Sequence, residues 1–303
     1  MDLQINDFTA FKNERPLTMT IGNFDGLHLG HQALIQKTHF PDTESAVLTF
    51  SPHPMKVLRG MKDHVILMSQ EKKISLIQSM GIEHLFIANF DLQMASTTKE
   101  AFINQLKALQ VKRLVLGVDF RFASHASGHV EDLKQHFEVI ILDNVTHQDT
   151  RISTTYIKDL LYSGELARAE LLLGRPYSIE GIVIHGDKVG RTLGMPTANL
   201  DLETYVLPPN GVYYVDVLYH GKLYPGALNI GYNPTINYSV KKRVEVYILD
   251  FNETIYGKKL EIFFRLYLRP EQQFKSKEAL IAQLQKDVLD VKRLSSQGCE
   301  INA

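Results

Sequence analysis

The chain has 303 residues, a length that predicts two domains at roughly 150 residues per domain. Hydrophobic residues make up 44% of the sequence, charged residues make up 22%, and the formal net charge is −1. This composition excludes a largely disordered chain and a bulk basic surface that would attract nucleic acid or anionic lipid. Cys299 is the single cysteine, which excludes an intrachain disulfide and a cysteine-based zinc site.

The first twenty residues lack the apolar core of a secretory signal, and no apolar run approaches the roughly 18 residues of a membrane span. We therefore expect a cytoplasmic protein that engages neither a membrane nor nucleic acid. The sequence leaves its oligomeric state open.

The first half alternates short β-rich apolar runs with longer amphipathic segments. The predicted strands are residues 17–22, 46–50, 84–88, 113–117 and 137–142. The helical patterns between them include residues 70–80 and 99–109. Strand–helix alternation with nearly continuous apolar strands indicates an α/β domain whose parallel sheet is covered on both faces. Such a sheet binds ligands beyond the carboxyl ends of its strands, so the loop after the first strand is the expected site of chemistry.

The composition changes after residue 173. Eleven of the 13 tyrosines follow Leu173, whereas ten of the 12 histidines precede it. The predicted strands of this half are residues 178–185, 211–219, 222–230, 243–249 and 259–268. Turn signals between them predict a small antiparallel β-barrel, closed by a helix over residues 277–289. Helical stretches at 154–162 and 165–172 join the halves, so we place the first domain at residues 1–172 and the second at 173–303.

A histidine pair follows the first predicted strand, in the segment Thr-Ile-Gly-Asn-Phe-Asp-Gly-Leu-His-Leu-Gly-His over residues 20–31. His28 and His31 are three residues apart, so both imidazoles can face one ligand at a helix start, where the helix dipole favours an anion. The glycines allow a ligand to approach main-chain N–H groups closely. Phosphate chemistry is the preferred interpretation, because a catalytic zinc usually needs three protein ligands and no third clearly spaced ligand follows. Surface or capping roles for both histidines are the alternative.

A glycine-rich segment follows the first predicted barrel strand. Glycine recurs every four residues with two basic residues between: Gly186, Gly190, Gly194, Lys188 and Arg191. This pattern predicts a flap that covers a polyphosphate, although it is not a Walker loop, because Gly-Lys-Ser/Thr is absent. Thr197 and Asn199 place two hard oxygens on the same side of an extended backbone, which suits Mg²⁺ bound mostly by water and phosphate. A plain hairpin loop is the alternative.

Two further segments carry polar groups suited to catalysis. Glu245 lies in an alternating strand, on the face opposite Val244 and Val246, where it serves either as a general base or as part of the polar face. Ser153 begins a helical segment, where its hydroxyl and nearby N–H groups can bind phosphate or simply cap the helix. Lys158 follows one turn later as a phosphate ligand or a solvated charge.

Together these motifs carry a resemblance to a known family. Residues 20–31 resemble the signature of the cytidylyltransferase-like nucleotidyltransferases. The strings Gly-Met-Pro-Thr-Ala-Asn at 194–199, Asn-Ile-Gly-Tyr-Asn-Pro-Thr at 229–235 and Val-Glu at 244–245 resemble the riboflavin kinase module. Over about residues 15–292, the chain resembles the prokaryotic bifunctional riboflavin kinase/FAD synthetase family.

The resemblance implies a Rossmann-like nucleotidyltransferase domain followed by a kinase barrel. The barrel would use ATP to phosphorylate riboflavin to FMN, with Glu245 as the base and with Mg²⁺ held by Thr197 and Asn199. The first domain would join FMN to ATP, giving FAD and pyrophosphate, with His28 and His31 stabilising the transition state. The implied ATP- and phosphate-binding residues also include Gly22, Phe24, Asp25, Gly26, Ser153, Thr154, Lys158, Gly186, Lys188, Gly190 and Gly194. The implied flavin-binding residues are Pro52, His53, Pro54, Asp119, Asn233 and Arg269.

Two residues depart from the family pattern. Ala123 stands where the family usually has glycine, and Lys158 stands where it usually has arginine, whose planar fork binds phosphate in a bidentate manner. Two alternatives therefore stay open: a riboflavin kinase with a weak or vestigial first domain, and a flavin- or nucleotide-responsive binding protein without turnover.

Overall fold

The computed structural model describes residues 3–8, 11, 15–58, 60, 64–186, 194–232 and 242–297. The chain divides into two compact units, Met1–Tyr156 and Ile157–Ala303. The two joining helices lie at and after this division, and the domain boundary at residue 172 stays a prediction. Within the described residues, no helix combines the length and the apolar character needed to cross a membrane.

The first unit is built on a six-stranded parallel sheet. Its strands are β1 (Gln4–Asn6), β2 (Leu17–Ile21), β3 (Glu44–Ser51), β4 (His84–Asn89), β5 (Val111–Gly117), β6 (Arg121–Phe122), β7 (Gly128–His129), β8 (Glu138–Leu142), β9 (Thr146–His147) and β10 (Thr150–Arg151). Its helices are α1 (Leu29–Gln36), α2 (Pro54–Leu58), α3 (Gln70–Ser79), α4 (Leu92–Ala95), α5 (Lys99–Ala108), α6 (Val130–Lys134) and the start of α7 (Thr154–Tyr162). The sheet order is β1-β4-β3-β2-β5-β8, and β6–β7 and β9–β10 are two-stranded antiparallel pairs.

The parallel sheet is covered on both faces, as the sequence predicts. On one face, Leu48 of β3 and Leu114 of β5 pack with Leu106 of α5. On the other face, Val47 of β3 packs with residues of α1 and α3 that include Ile35 and Ile77. Because β3 and β4 lie on one side of β2 while β5 and β8 lie on the other, the crossover direction reverses beside β2. Ligands bind at such a reversal, beyond the carboxyl ends of the strands.

The second unit is a closed six-stranded antiparallel barrel with a long terminal helix, as the sequence predicts. Its elements are α8 (Leu166–Leu173), β11 (Ser178–Ile184), β12 (Ala198–Leu202), β13 (Gly211–Tyr219), β14 (Lys222–Tyr232), β15 (Lys242–Ile248), β16 (Lys259–Arg269) and α9 (Lys277–Ser296). The strand order around the barrel is β11-β12-β15-β14-β13-β16. β12 was not predicted from the sequence, and α9 continues past the predicted end at residue 289.

Alternating burial along the barrel strands separates an apolar interior from a more polar exterior. On β15, Val244 and Val246 are buried, whereas Glu245 between them is only half-buried. On the outside, Val291 of α9 packs against Tyr214 and Leu249. Glu245 therefore lies on the outer face of the barrel wall.

Candidate active sites

A cleft of about 1230 Å³ opens in the first unit beyond the carboxyl ends of the parallel strands. The segments that follow β2, β5 and β8 all contribute to its walls. The residues singled out from the sequence that line it are Gly22, Phe24, His28, His31, Pro54, Asp119, Ala123, Ser153 and Thr154. The structure thus brings together residues that are more than a hundred positions apart in the chain.

The two histidines form a stacked pair at the start of α1. Their ring centroids are 3.6 Å apart with an interplanar angle of 19°. His28 is the N-cap of α1, and its Nδ1 accepts a hydrogen bond from the backbone N–H of His31 at 3.3 Å. An accepting ring nitrogen carries no proton, so the neutral His28 ring holds its proton on Nε2 as a donor. His28 therefore caps the helix through Nδ1 only, and its Nε2 is not used for capping.

Close packing around the pair explains one of the glycines in this segment. A Cβ at Gly30 would lie 3.2 Å from Cε1 of His28, so a larger residue would displace that ring. On the other side, the ring of Phe24 meets His31 edge-on, with centroids 5.3 Å apart. The imidazoles are thus held in one orientation from both sides.

The turn that precedes the pair is anchored by buried charged side chains. Oδ1 of Asp25 accepts a hydrogen bond from the N–H of Leu67 at 2.8 Å, and Lys73 Nζ donates to the carbonyl of Asn23 at 2.8 Å. Burial lowers the pKa of Lys73 to about 8, while the charge of Asp25 opposes this shift. Lys73 was not anticipated from the sequence, although it shares the buried stripe of α3 with Ile77.

The start of α7 closes one side of the cleft. Ser153 Oγ accepts a hydrogen bond from the N–H of Tyr156 at 3.2 Å, the geometry of a helix cap, and its hydroxyl proton is available to another acceptor. Thr154 Oγ1 donates to the carbonyl of Asp25 at 3.1 Å, which ties α7 to the histidine-bearing turn. Lys158 follows one turn later on α7, beyond the division between the units, so its phosphate contact stays a prediction.

The predicted flavin-binding loop follows β3. His53 stacks on His64, with ring centroids 4.2 Å apart, and its Nδ1 accepts a hydrogen bond from the N–H of Met55 at 3.2 Å. Pro52 precedes this imidazole, and Pro54 begins α2 and lines the cleft. His64 was not anticipated from the sequence.

Arg151 is a further residue of the cleft that was not anticipated from the sequence. Arg151 forms an ion pair with Asp119, and both residues line the cavity. Arg151 directly precedes the segment Ile-Ser-Thr-Thr at 152–155, and this adjacency was the signal that would have identified it. The pair places a guanidinium, which suits phosphate recognition, in the wall of the cleft.

Ala123 has a backbone conformation that favours glycine. Its φ of 63° and ψ of −178° lie in a region essentially restricted to glycine, and the residue lines the cleft. The structure therefore supplies a physical reason for the glycine that is usual in the family at this position.

In the barrel, Glu245 and Asn199 meet on the outer wall. The β12–β15 register pairs Asn199 with Glu245, and the β14–β15 register pairs Asn229 with the same glutamate. Arg243 Nε donates to Asn199 Oδ1 at 2.8 Å and forms an ion pair with Glu245. Asn199 is 8% exposed, and a Cβ at Gly186 would lie 2.2 Å from its Nδ2. Gly186 therefore makes room for the Asn199 side chain.

The other barrel residues singled out from the sequence have varied positions. Thr197 precedes β12 and is half-buried, and Gly194 has a φ of 75° in a turn. Arg269 forms a bidentate ion pair with Asp287 of α9, with nitrogen–oxygen distances of 2.9 and 2.7 Å. Its predicted flavin contact stays a prediction. Lys188, Gly190 and Asn233 lie outside the described residues.

Comparisons with known proteins found a match for each of the two units. The family model described as FAD synthetase matches residues 10–156, and the one described as riboflavin kinase matches residues 173–295. A bifunctional riboflavin kinase/FMN adenylyltransferase of Listeria monocytogenes is 40% identical over 285 residues, covering 90% of this chain and 91% of that protein. One of Bacillus subtilis is 38% identical over 282 residues, covering 89% of each.

A solved structure from Streptococcus pneumoniae, named a macrolide-efflux protein, has a TM-score of 0.85 and 31% identity, covering 96% of this chain and 99% of that one. The name belongs to that protein. The structural similarity to this chain extends over both units. With both family models matched in order and relatives similar over nine-tenths of the sequence, the chain belongs to the bifunctional riboflavin kinase/FMN adenylyltransferase family.

Proposed function

We propose that the protein phosphorylates riboflavin to FMN and then adenylylates FMN to FAD, with ATP as the co-substrate of both steps. The observation that supports this most directly is the presence of two separate polar constellations on one chain. One is the stacked pair of His28 and His31 in a large cleft, and the other is the register of Glu245 with Asn199 on the barrel.

In the adenylylation step, a phosphate oxygen of FMN attacks the α-phosphorus of ATP. A new P–O–P bond forms, the bond between the α-phosphorus and the bridging oxygen to the β-phosphate breaks, and pyrophosphate leaves with the bonding electrons. Negative charge builds on the α-phosphate oxygens, and donors fixed in advance at that position lower the barrier. Nε2–H of His28 supplies one such donor, and His31, stacked on it, supplies the second.

Other groups of the cleft suit the remaining phosphates and the flavin. The hydroxyl of Ser153 and the N–H groups at the start of α7 bind the departing pyrophosphate. Pro54 lines the cleft and brings the loop of Pro52, His53 and Pro54 to it as the proposed flavin contact, and Asp119 pairs with Arg151, which also lines the cleft. The phosphate contact predicted for Lys158 would be that of a single ammonium, because lysine lacks the bidentate geometry of arginine.

In the kinase step, Glu245 takes the proton of the 5′-hydroxyl of riboflavin. The hydroxyl oxygen then bonds to the γ-phosphorus of ATP, the bond from that phosphorus to the β–γ bridging oxygen breaks, and ADP leaves. Arg243 forms an ion pair with Glu245, which limits the rotation of the carboxylate. The pairing in register with Asn199 and Asn229 fixes where the carboxylate lies on the barrel wall.

The barrel also fits Mg²⁺. Thr197 offers a hydroxyl oxygen and Asn199 an amide oxygen, both hard donors of the kind that Mg²⁺ accepts while it keeps water and phosphate ligands. The Asn199 oxygen carries two lone pairs, so the hydrogen bond from Arg243 and a metal bond are compatible in number. Thr197 and Asn199 would hold the ion, whose positive charge would offset the negative charge of the phosphates. We further propose that the enzyme works in the cytoplasm, since both steps consume ATP.

The test is incubation of the purified protein with riboflavin, ATP and Mg²⁺, followed by chromatography of the flavins. Formation of both FMN and FAD supports the proposal. FMN without FAD identifies a kinase with a vestigial first domain, and neither product identifies a binding protein. A parallel incubation with FMN in place of riboflavin separates the second step from the first.

A further inference from the structure

Lys73 is a buried cation beside the histidine-bearing turn. It lies on the stripe of α3 that it shares with Ile77, and only 6% of its surface is exposed. Lysine is almost never buried to this extent unless its charge is paired. A lysine at such a position therefore supplies a charge and hydrogen-bond donors that an apolar side chain on the same stripe would lack.

The Lys73 ammonium joins three elements of the first unit. Nζ donates to the carbonyl oxygen of Asn23 at 2.8 Å and to Oγ1 of Thr49 at 3.4 Å. Thr49, near the end of β3, itself donates to the same Asn23 carbonyl at 3.2 Å. One peptide of the turn is thus held from both α3 and β3, and Asn23 lines the cleft.

The turn needs such anchoring because of its backbone conformation. Phe24 has a φ of 49° and Leu27 a φ of 40°, both in the left-handed region that favours glycine. Residues in that region persist where the surrounding contacts over-determine them. The bonds from Lys73 and Thr49 act on the carbonyl that directly precedes Phe24, and His28 follows directly after Leu27.

Lys73 also offsets a buried negative charge. Asp25 is buried in the same turn. Its negative charge raises the pKa of Lys73. Burial acts in the opposite direction and is the larger effect, leaving the pKa at about 8. Without the ammonium, the Asp25 carboxylate would repel the phosphate groups that the turn must receive.

We propose that Lys73 is a positioning residue for adenylyl transfer, which fixes the Asn23 peptide so that His28 and His31 face the α-phosphate and which offsets the charge of Asp25. This inference rests on the adenylyltransferase activity proposed above. Lys73 acts through the turn and does not touch the substrate.

The first test replaces the ammonium with an apolar group of similar length. In Lys73→Met, FAD synthesis from FMN falls by about tenfold to a hundredfold, the equivalent of one hydrogen bond from a charged donor. The fall lies in kcat, with KM for FMN unchanged, because the residue orients the histidines and not the flavin. FMN synthesis from riboflavin by the same chain is retained, and Lys72→Met, on the same helix, is the matched control that retains both activities.

The second test uses a readout that a purely structural role would not move. In the unaltered protein, kcat/KM for FMN adenylylation declines as the pH rises through about 8, because Lys73 is charged below that pH and neutral above it. The decline is absent in Lys73→Met. Thr49→Val, which removes one acceptor of the ammonium without changing the size of the side chain, lowers adenylylation several-fold and leaves the kinase intact.

Selective loss of FAD synthesis together with loss of the alkaline decline supports the proposal. FAD synthesis in Lys73→Met within about twofold of the unaltered protein overturns it, as does joint loss of both activities or a flat profile of the unaltered protein across pH 8. If the unaltered protein makes no FAD from FMN, ATP and Mg²⁺, the proposed adenylyltransferase activity itself fails. That result precedes any variant and is distinct from failure of the Lys73 proposal.

Discussion

Asn199 and Glu245 lie directly opposite each other in the register of β12 and β15, and one guanidinium, that of Arg243, bonds to both side chains. Residues paired across antiparallel strands project to the same face, so the proposed metal ligand and the proposed base share the outer wall of the barrel. Arg243 therefore links the proposed metal ligand to the proposed base.

Replacing the proposed base tests the kinase step alone. Glu245→Gln keeps the shape of the side chain but removes its ability to take a proton, so FMN formation from riboflavin falls by about 10²–10⁴-fold. Adenylylation of supplied FMN is unchanged, and Glu253→Gln, an exposed glutamate of the same unit, leaves both steps intact. FMN formation by Glu245→Gln at a rate close to that of the unaltered enzyme would show that another group is the base.

Gly186 is expected to be intolerant of even one added methyl group. A Cβ there would lie 2.2 Å from Nδ2 of Asn199, so Gly186→Ala must displace that side chain. Displacement of a catalytic ligand by about 1 Å costs about a hundredfold in rate, so FMN formation falls by that order. Conversion of FMN to FAD by the same variant serves as the internal control. A variant that phosphorylates riboflavin normally would disprove the role assigned to the Asn199 position.

Replacing one histidine of the pair tests the adenylylation step alone. His28→Ala removes the N-cap and the Nε2–H donor, and loss of one donor to a developing oxyanion typically costs about 10²–10³-fold. FAD synthesis from FMN falls accordingly while riboflavin phosphorylation is retained. His39→Ala, an exposed histidine just beyond α1, is the matched control. Equal rates of FAD synthesis in the two variants would assign His28 a capping role only.

Ala123 provides a prediction about stability. Its φ of 63° with ψ of −178° costs about 1–3 kcal/mol for a residue with a Cβ, and glycine loses about 0.5–1 kcal/mol more in entropy on folding. Ala123→Gly therefore raises the free energy of unfolding by about 1 kcal/mol, measured by urea denaturation. Ala101→Gly, on the exposed face of α5, lowers it by about the same amount. If both variants are destabilised alike, the backbone at Ala123 is not under strain.

The sequence was most informative where chemistry depends on residues close together in the chain. The spacing of His28 and His31 at a predicted helix start pointed to a shared ligand, and the structure stacks their rings. Strand–helix alternation predicted the parallel sheet, because that pattern reflects burial on both faces, and regular turn signals predicted the barrel. β12 was missed because its apolar run is short and follows a glycine-rich segment that favours a loop.

By itself, then, the sequence determined the two architectures and their order, and it supplied the residues proposed to carry the chemistry, because hydrophobic periodicity and local motifs are properties of neighbouring residues. Only the tertiary structure decided which distant residues meet: Asn199 with Glu245, Asp119 with Arg151, and Lys73 with Asn23. Strand register and helix docking set these pairs, and both depend on how whole faces pack together. The same packing buries Lys73, whose charge would otherwise indicate a surface position.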